Sequence, residues 1–181
     1  MKKILVLIIS FIFIGACAKP LTAKEAVESY LEKYRTSSKD VLSALDEYVA
    51  KDDDLNENQK EVYKEVLKKQ YKNIKYKIVN ETYTNDEALI TTEITVFDLY
   101  KAQKEADTYL NEHQSEFYTI DGVYDKSKFL DYKLSLMKDY TYFTDYTIDF
   151  HVVKDDKDRW EVKDLSKSDL EKLHGIYQYE S

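Results

Sequence analysis

Few side chains in this sequence are spaced for chemistry, and each candidate can be weighed on its neighbours. Asp52, Asp54 and Asn56 fall at the first three ligand positions of a calcium loop. Glu57 then stands where that loop needs glycine and Tyr63 where it needs a bidentate glutamate, so the motif fails and an acidic loop before a helix is the better reading. His113, His151 and His174 show no pair at metal-ligand spacing. Each is expected at the surface or partly buried, and neither a metal nor a cofactor is expected. A general base must point into a pocket. Strand alternation sets Asp145 and Asp149 opposite Tyr142, Tyr146, Ile148 and Phe150, so these two carboxylates should face solvent if those side chains face the core. Asp98 shares parity with Ile94 and Val96 and is the best inward acid. Its competing task is to cap the helix that follows. No serine sits in a glycine elbow, and the sole thiol is Cys17.

Composition removes whole classes of function. The chain has three glycines and one proline in 181 residues, so the glycine-rich loops that bring backbone close to phosphate cannot be built. Without its first 16 residues the chain carries 25 basic against 35 acidic side chains, a formal charge of −10. That balance disfavours nucleic acid and gives no help on anionic lipid. The 17 tyrosines are expected to fill strands and half-buried helix faces, with an aromatic binding surface as the other reading.

The elements that would position these groups can be read from capping and periodicity. Thr22 and Glu25 form a capping box, with Leu21 able to staple onto Ala26, ahead of Ala23, Val27, Tyr30, Leu31 and Tyr34 at helical spacing. Ser37-Ser38-Lys39-Asp40 interrupts and recaps the chain before a second helix through Val41, Leu42, Leu45, Tyr48 and Val49, and a third opens at Asn56 with Gln59 three residues on. The period then falls to two through Ile74, Tyr76 and Ile78, turns at Asn85-Asp86, and continues through Ala88, Ile90, Thr92, Ile94 and Val96, as a long antiparallel hairpin. Helical spacing returns from Leu99 to Phe117, breaks at Asp121-Gly122, and resumes from about Asp125 to Tyr140. Tyr142 to Val152 alternate as a long half-buried strand, with Arg159 to Lys163 as its partner. Leu165 to Leu170 combine a capping box and a staple before a short helix that stops at Gly175. The expected class is α+β, a curved antiparallel sheet of about four long strands packed on N-terminal and inserted helices.

The opening of the chain resembles the leader of a bacterial lipoprotein. Lys2 and Lys3 precede an apolar run from Ile4 to Ile14, about 16 Å of helix, too short for a bilayer core about 30 Å thick. Ile14-Gly15-Ala16-Cys17 is similar to the lipobox, which implies that Cys17 receives diacylglycerol and that residues 1–16 are cleaved. An ordinary signal peptide with a chance cysteine is the plainer alternative. Cys17 has no disulfide partner within the chain, and two or more acyl chains would hold the membrane durably. Residues 17–21 would then be a short tether and residues 22–181 a single α+β domain.

The element order, with Trp160-Glu161-Val162-Lys163-Asp164-Leu165 after an acidic turn, resembles the nuclear transport factor 2-like fold, also called cystatin-like. The resemblance implies a curved sheet wrapped round helices with an apolar pocket. The stretch from Phe117 to Tyr140 departs from the smallest members and could close or fill that pocket. Candidate lining residues are Tyr76, Ile78, Ile90, Ile94, Tyr142, Tyr146, Phe150 and Trp160. Ketosteroid isomerases share the fold and work with pocket acids. The leading expectation is a non-enzymatic, lipid-anchored binding or protein-interaction domain on the extracytoplasmic face of a bacterial membrane, with a small apolar ligand or an envelope protein as partner. The alternatives are a small-molecule isomerase or hydrolase using Asp98, and a structural partner of envelope machinery with exposed aromatics.

Overall fold

Helix starts are set by side chains that reach back to the unpaired N–H groups of the first turn. Glu25 N–H donates to Thr22 Oγ1 at 3.2 Å while Thr22 N–H donates to the Glu25 carboxylate at 2.7 Å, opening α1 (Ala23–Arg35). Ser38 caps α2 (Lys39–Ala50). Asn56 and Gln59 form the reciprocal box, both bonds 3.0 Å, at the start of α3 (Glu57–Lys72). The structure is a computed structural model that describes residues 21–179. Cys17, the expected leader and the expected tether as far as Pro20 lie outside the described residues, and Leu21 is half exposed.

Strands β1 (Lys75–Tyr83) and β2 (Glu87–Phe97) form the expected hairpin. They are followed by α4 (Leu99–Glu112), a 3₁₀ turn at Gln114–Phe117 and α5 (Lys126–Asp139). The chain returns through β3 (Phe143–Lys154) and β4 (Trp160–Val162) and closes with α6 (Lys167–His174). The described residues therefore form six α-helices and one antiparallel sheet in the order β1-β2-β3-β4, an α+β architecture. Three strands are long and one is not. β4 pairs only at Trp160, Glu161 and Val162 because the chain leaves the sheet to reach the Ser166 cap of α6, which corrects the expectation of about four long strands. The cap itself also differs from the expected box. Ser166 Oγ accepts from Asp169 N–H at 3.1 Å but donates to the Asp169 carboxylate at 2.7 Å, so that carboxylate takes a hydroxyl.

Alternation sends Ile90, Thr92, Ile94 and Val96 of β2, with Ile148, Phe150 and Val152 of β3, to one buried face. Asp145 and Asp149 lie on the opposite, exposed face. In β1 the register slips between Ile78 and Asn80, and beyond the slip every residue is exposed. Helices α1 and α6 pack over the buried face, while α5 packs against α3 and α4. The inserted segment thus builds a second helical layer beside α3 and α4, and its Leu134, Met137 and Tyr140 join the main core. It has its own small core of Ala106, Phe117 and Phe129, separate from the main one.

The end of α6 is keyed into the junction of β2 and α4. Gly175 takes φ +72° as a left-handed cap, with Gly175 N–H on Lys172 O and Ile176 N–H on Glu171 O, both at 3.0 Å. Its carbonyl accepts Tyr100 N–H at 2.8 Å. A Cβ at this position would stand 2.1 Å from Phe97 O and 2.3 Å from Gln70 Nε2, so only glycine fits. Along the free edge of β3, Lys163 N–H reaches His151 O at 2.8 Å and Lys172 Nζ reaches Thr147 O at 3.0 Å.

Candidate functional site

The eight residues expected to line a pocket do not surround one space. Ile90, Ile94 and Phe150 are fully buried in the core. Tyr76, Ile78, Tyr146 and Trp160 are partly buried and pack against it. Tyr142 corrects the expectation, being 66 % exposed and lying just before β3, where its carbonyl accepts Asp98 N–H at 2.9 Å. That bond turns the chain into the strand and leaves the ring outside, over which Lys101 Nζ sits 5.6 Å from the centroid.

The region above the buried face of the sheet is occupied by aromatic side chains from the helices. Tyr30 of α1 meets the Phe150 ring edge-on at 5.9 Å, and Tyr34 meets Tyr71 at 5.0 Å and 89°. The Tyr30 and Tyr34 hydroxyls are 3.3 Å apart. Tyr71 Oη lies 2.8 Å from His174 Nε2, and Tyr48 packs edge-on to the same imidazole at 4.8 Å. His174 is buried, which corrects its expected place at or near the surface. Burial without a charged partner pushes its pKa down to about 4, so the ring is neutral near pH 7. Its Nδ1 and the hydroxyl of Thr92 have no hydrogen-bond partner among the described residues. Burial pushes the Tyr30, Tyr63 and Tyr71 phenols well up. None of them ionises near neutrality.

Asp98 is buried and both of its carboxylate oxygens are engaged. Oδ1 accepts Lys101 N–H at 3.0 Å, capping α4, and Oδ2 accepts the Tyr179 hydroxyl at 2.7 Å. Burial and that carboxylate push the Tyr179 phenol up to about 12. The Tyr179 ring packs edge-on to Tyr100 at 5.1 Å, so the C-terminal segment is pinned beside α4.

This pinning completes a groove of about 710 Å3 along α4 and α5. Its apolar walls are Tyr100, Tyr109, Tyr132 and Leu136, with Tyr179 among the lining residues and Lys101, Lys104, Glu105 and Glu112 supplying charge. Tyr109 and Tyr132 stack at 4.7 Å and 25°, and His113 covers Tyr109 at 3.9 Å. Glu105 accepts the Tyr140 hydroxyl at 2.9 Å. Aromatic faces beside charges of both signs suit recognition of an amphipathic partner better than acid–base chemistry. The groove was not anticipated from the sequence. Its only sequence trace is the run Lys101, Lys104, Glu105, Thr108 and Glu112 on one face of α4, which reads as ordinary solvated patterning. Among the described residues no group of three or more His, Cys, Asp or Glu side chains could hold a metal ion, and no helix is long and apolar enough to cross a membrane.

No protein-family model matches the sequence, and no curated protein matches it. Among solved structures the chain is similar to ycdA, a candidate lipoprotein of Bacillus subtilis, at 16% identity and a TM-score of 0.42. The likeness covers 88% of this chain and 48% of that one, so this chain spans about half the length of that protein.

Proposed function

We propose that this chain is a non-enzymatic binding or protein-interaction domain, lipid-anchored through Cys17 on the extracytoplasmic face of a bacterial cell membrane. The observation that carries the reading is Ile14-Gly15-Ala16-Cys17 at the end of a short apolar run, only five residues before the Thr22 cap of α1. The domain would be a nuclear transport factor 2-like variant whose interior is packed with tyrosine and whose recognition surface is the groove along α4 and α5. Engagement of both Asp98 oxygens supports a structural role for that acid over a catalytic one.

The test is fractionation of the full chain against Cys17→Ser, with intact mass measured on the membrane-bound protein. The wild type should carry a diacylglyceryl mass and pellet with membranes, and the variant should be released. A variant that stays membrane-bound, beside a wild type without acyl mass, would overturn the reading.

A further inference from the structure

The segment between the 3₁₀ turn and α5 holds its apolar side chains out into water. Ile120 is 102 % exposed and Val123 62 %. Single exposed aliphatics are common, but these two are carried by a built hairpin. Tyr118 and Tyr124 pair as a bridge. Inside it Thr119 N–H donates to Val123 O at 2.8 Å, Gly122 N–H to Thr119 O at 2.9 Å, and Val123 N–H to Thr119 Oγ1 at 3.2 Å. Gly122 turns the tip at φ +74°. Asp125 N–H closes the base on Phe117 O at 2.8 Å. Beneath lies the separate small core, where the Phe117 and Phe129 rings meet edge-on at 5.5 Å. These bonds hold the tip in one turn, and with Ile120 and Val123 exposed it presents a protrusion instead of a groove.

We propose that Ile120 and Val123 enter the headgroup–acyl boundary of the bilayer to which the chain is tethered, so that the domain is held at two points and lies in one orientation. The inference rests on the lipid-anchor reading. Area decides between occupants. The two aliphatic side chains offer roughly 200 Å2 of apolar surface, against about 800 Å2 per partner in a stable protein interface. A bilayer closes round an isolated protrusion, and a chain already anchored needs little further affinity for the second contact. Tyr118 and Tyr124, about two-fifths exposed at the base, supply the amphipathic rings that favour the interface. Asp121 and Asp125 keep the insertion shallow and disfavour a strongly anionic surface. The five residue steps from Cys17 to Thr22 span at most about 18 Å, so the anchor keeps the domain close to the bilayer.

The experiment uses the full lipidated chain carrying Ile120→Cys, whose thiol is the only free one once Cys17 is alkylated. An environment-sensitive fluorophore is attached there and the protein is reconstituted into phosphatidylcholine vesicles. The solvated position of Ile120 makes the substitution harmless to folding. Blue-shifted emission, quenching by lipids with a nitroxide near the headgroup, and protection from aqueous iodide are expected. A label that stays open to iodide while the protein floats with the vesicles would overturn the tip contact and leave the anchor intact. Protection in native membranes but not in pure lipid would assign the tip to a protein partner and also overturn it. Failure of the unlabelled wild type to acquire lipid or to float would remove the anchor reading, and this inference with it.

Discussion

The side-chain amide of Gln70 bonds both backbone groups of Phe97. Phe97 N–H donates to Oε1 at 2.9 Å and Nε2 donates to Phe97 O at 3.2 Å, with Gln70 fully buried. One side chain of α3 thus replaces a neighbouring strand for the last residue of β2. Gln70→Leu keeps the volume and orphans both groups, and is expected to cost about 3 kcal/mol. Urea unfolding of the two proteins measures it, and a loss under about 1 kcal/mol would mean that water satisfies Phe97 instead.

The two left-handed glycines should separate cleanly. At Gly175 a methyl group meets a backbone carbonyl 2.1 Å away, so Gly175→Ala adds a steric clash to backbone strain. It should lose more than about 2 kcal/mol. Gly122 has nothing within 4 Å of the position a Cβ would take, and Gly122→Ala should lose only about 1 kcal/mol from its positive φ. Equal losses would show that strain alone sets both.

Thr92 lies between Ile78 and Ile148 across the strands, and its buried hydroxyl has no partner among the described residues. Thr92→Val removes that orphan at nearly constant shape, and should raise stability by about 1 kcal/mol. A lower melting temperature for the variant would point to a water bonded to Oγ1.

His174 sets an acid limit on the fold. Its pKa is lowered from 6.5 in the unfolded chain to about 4 in the core. The unfolded state therefore binds the extra proton, and the contribution is complete above pH 6.5 and lost as pH falls through that interval toward 4. The loss is about 3 kcal/mol. Carboxylates titrate over the same range, so the reading is the difference between wild type and His174→Gln in urea unfolding at pH 7.5 and 4.5. The gap should narrow or reverse at the lower pH. A gap that does not move would mean the imidazole is already solvated in the native state.

Where the chain begins a helix was legible, because Thr22 with Glu25 and Asn56 with Gln59 carry their own bonding partners at fixed spacing. Strand parity was legible too, as Ile148, Phe150 and Val152 point inward and Asp149 outward. Parity does not say whether the space above a strand is empty. That depended on Tyr30, Tyr34 and Tyr71, which lie on α1 and α3 and meet the sheet and His174 only through tertiary packing. Gln70 and His174 were hidden for the same reason, since a polar residue on a helix reads as solvated unless its distant partner is known. The α4 and α5 groove depends on Tyr179, which is 81 residues from the Asp98 carboxylate that holds it.

The short β4 leaves the middle of β3 unpaired on the side away from β2 among the described residues, and His151 O, which accepts from Lys163, shows that the odd-numbered residues turn their backbone groups to that side. Proteins crowded together in two dimensions would find such an edge a ready template for stacking into fibres. Here Asp145 and Asp149 flank it, and the Lys172 ammonium occupies the Thr147 carbonyl between them. A second copy approaching in register would bring like charges together and meet an acceptor already taken, which disfavours edge-to-edge pairing of copies of this domain.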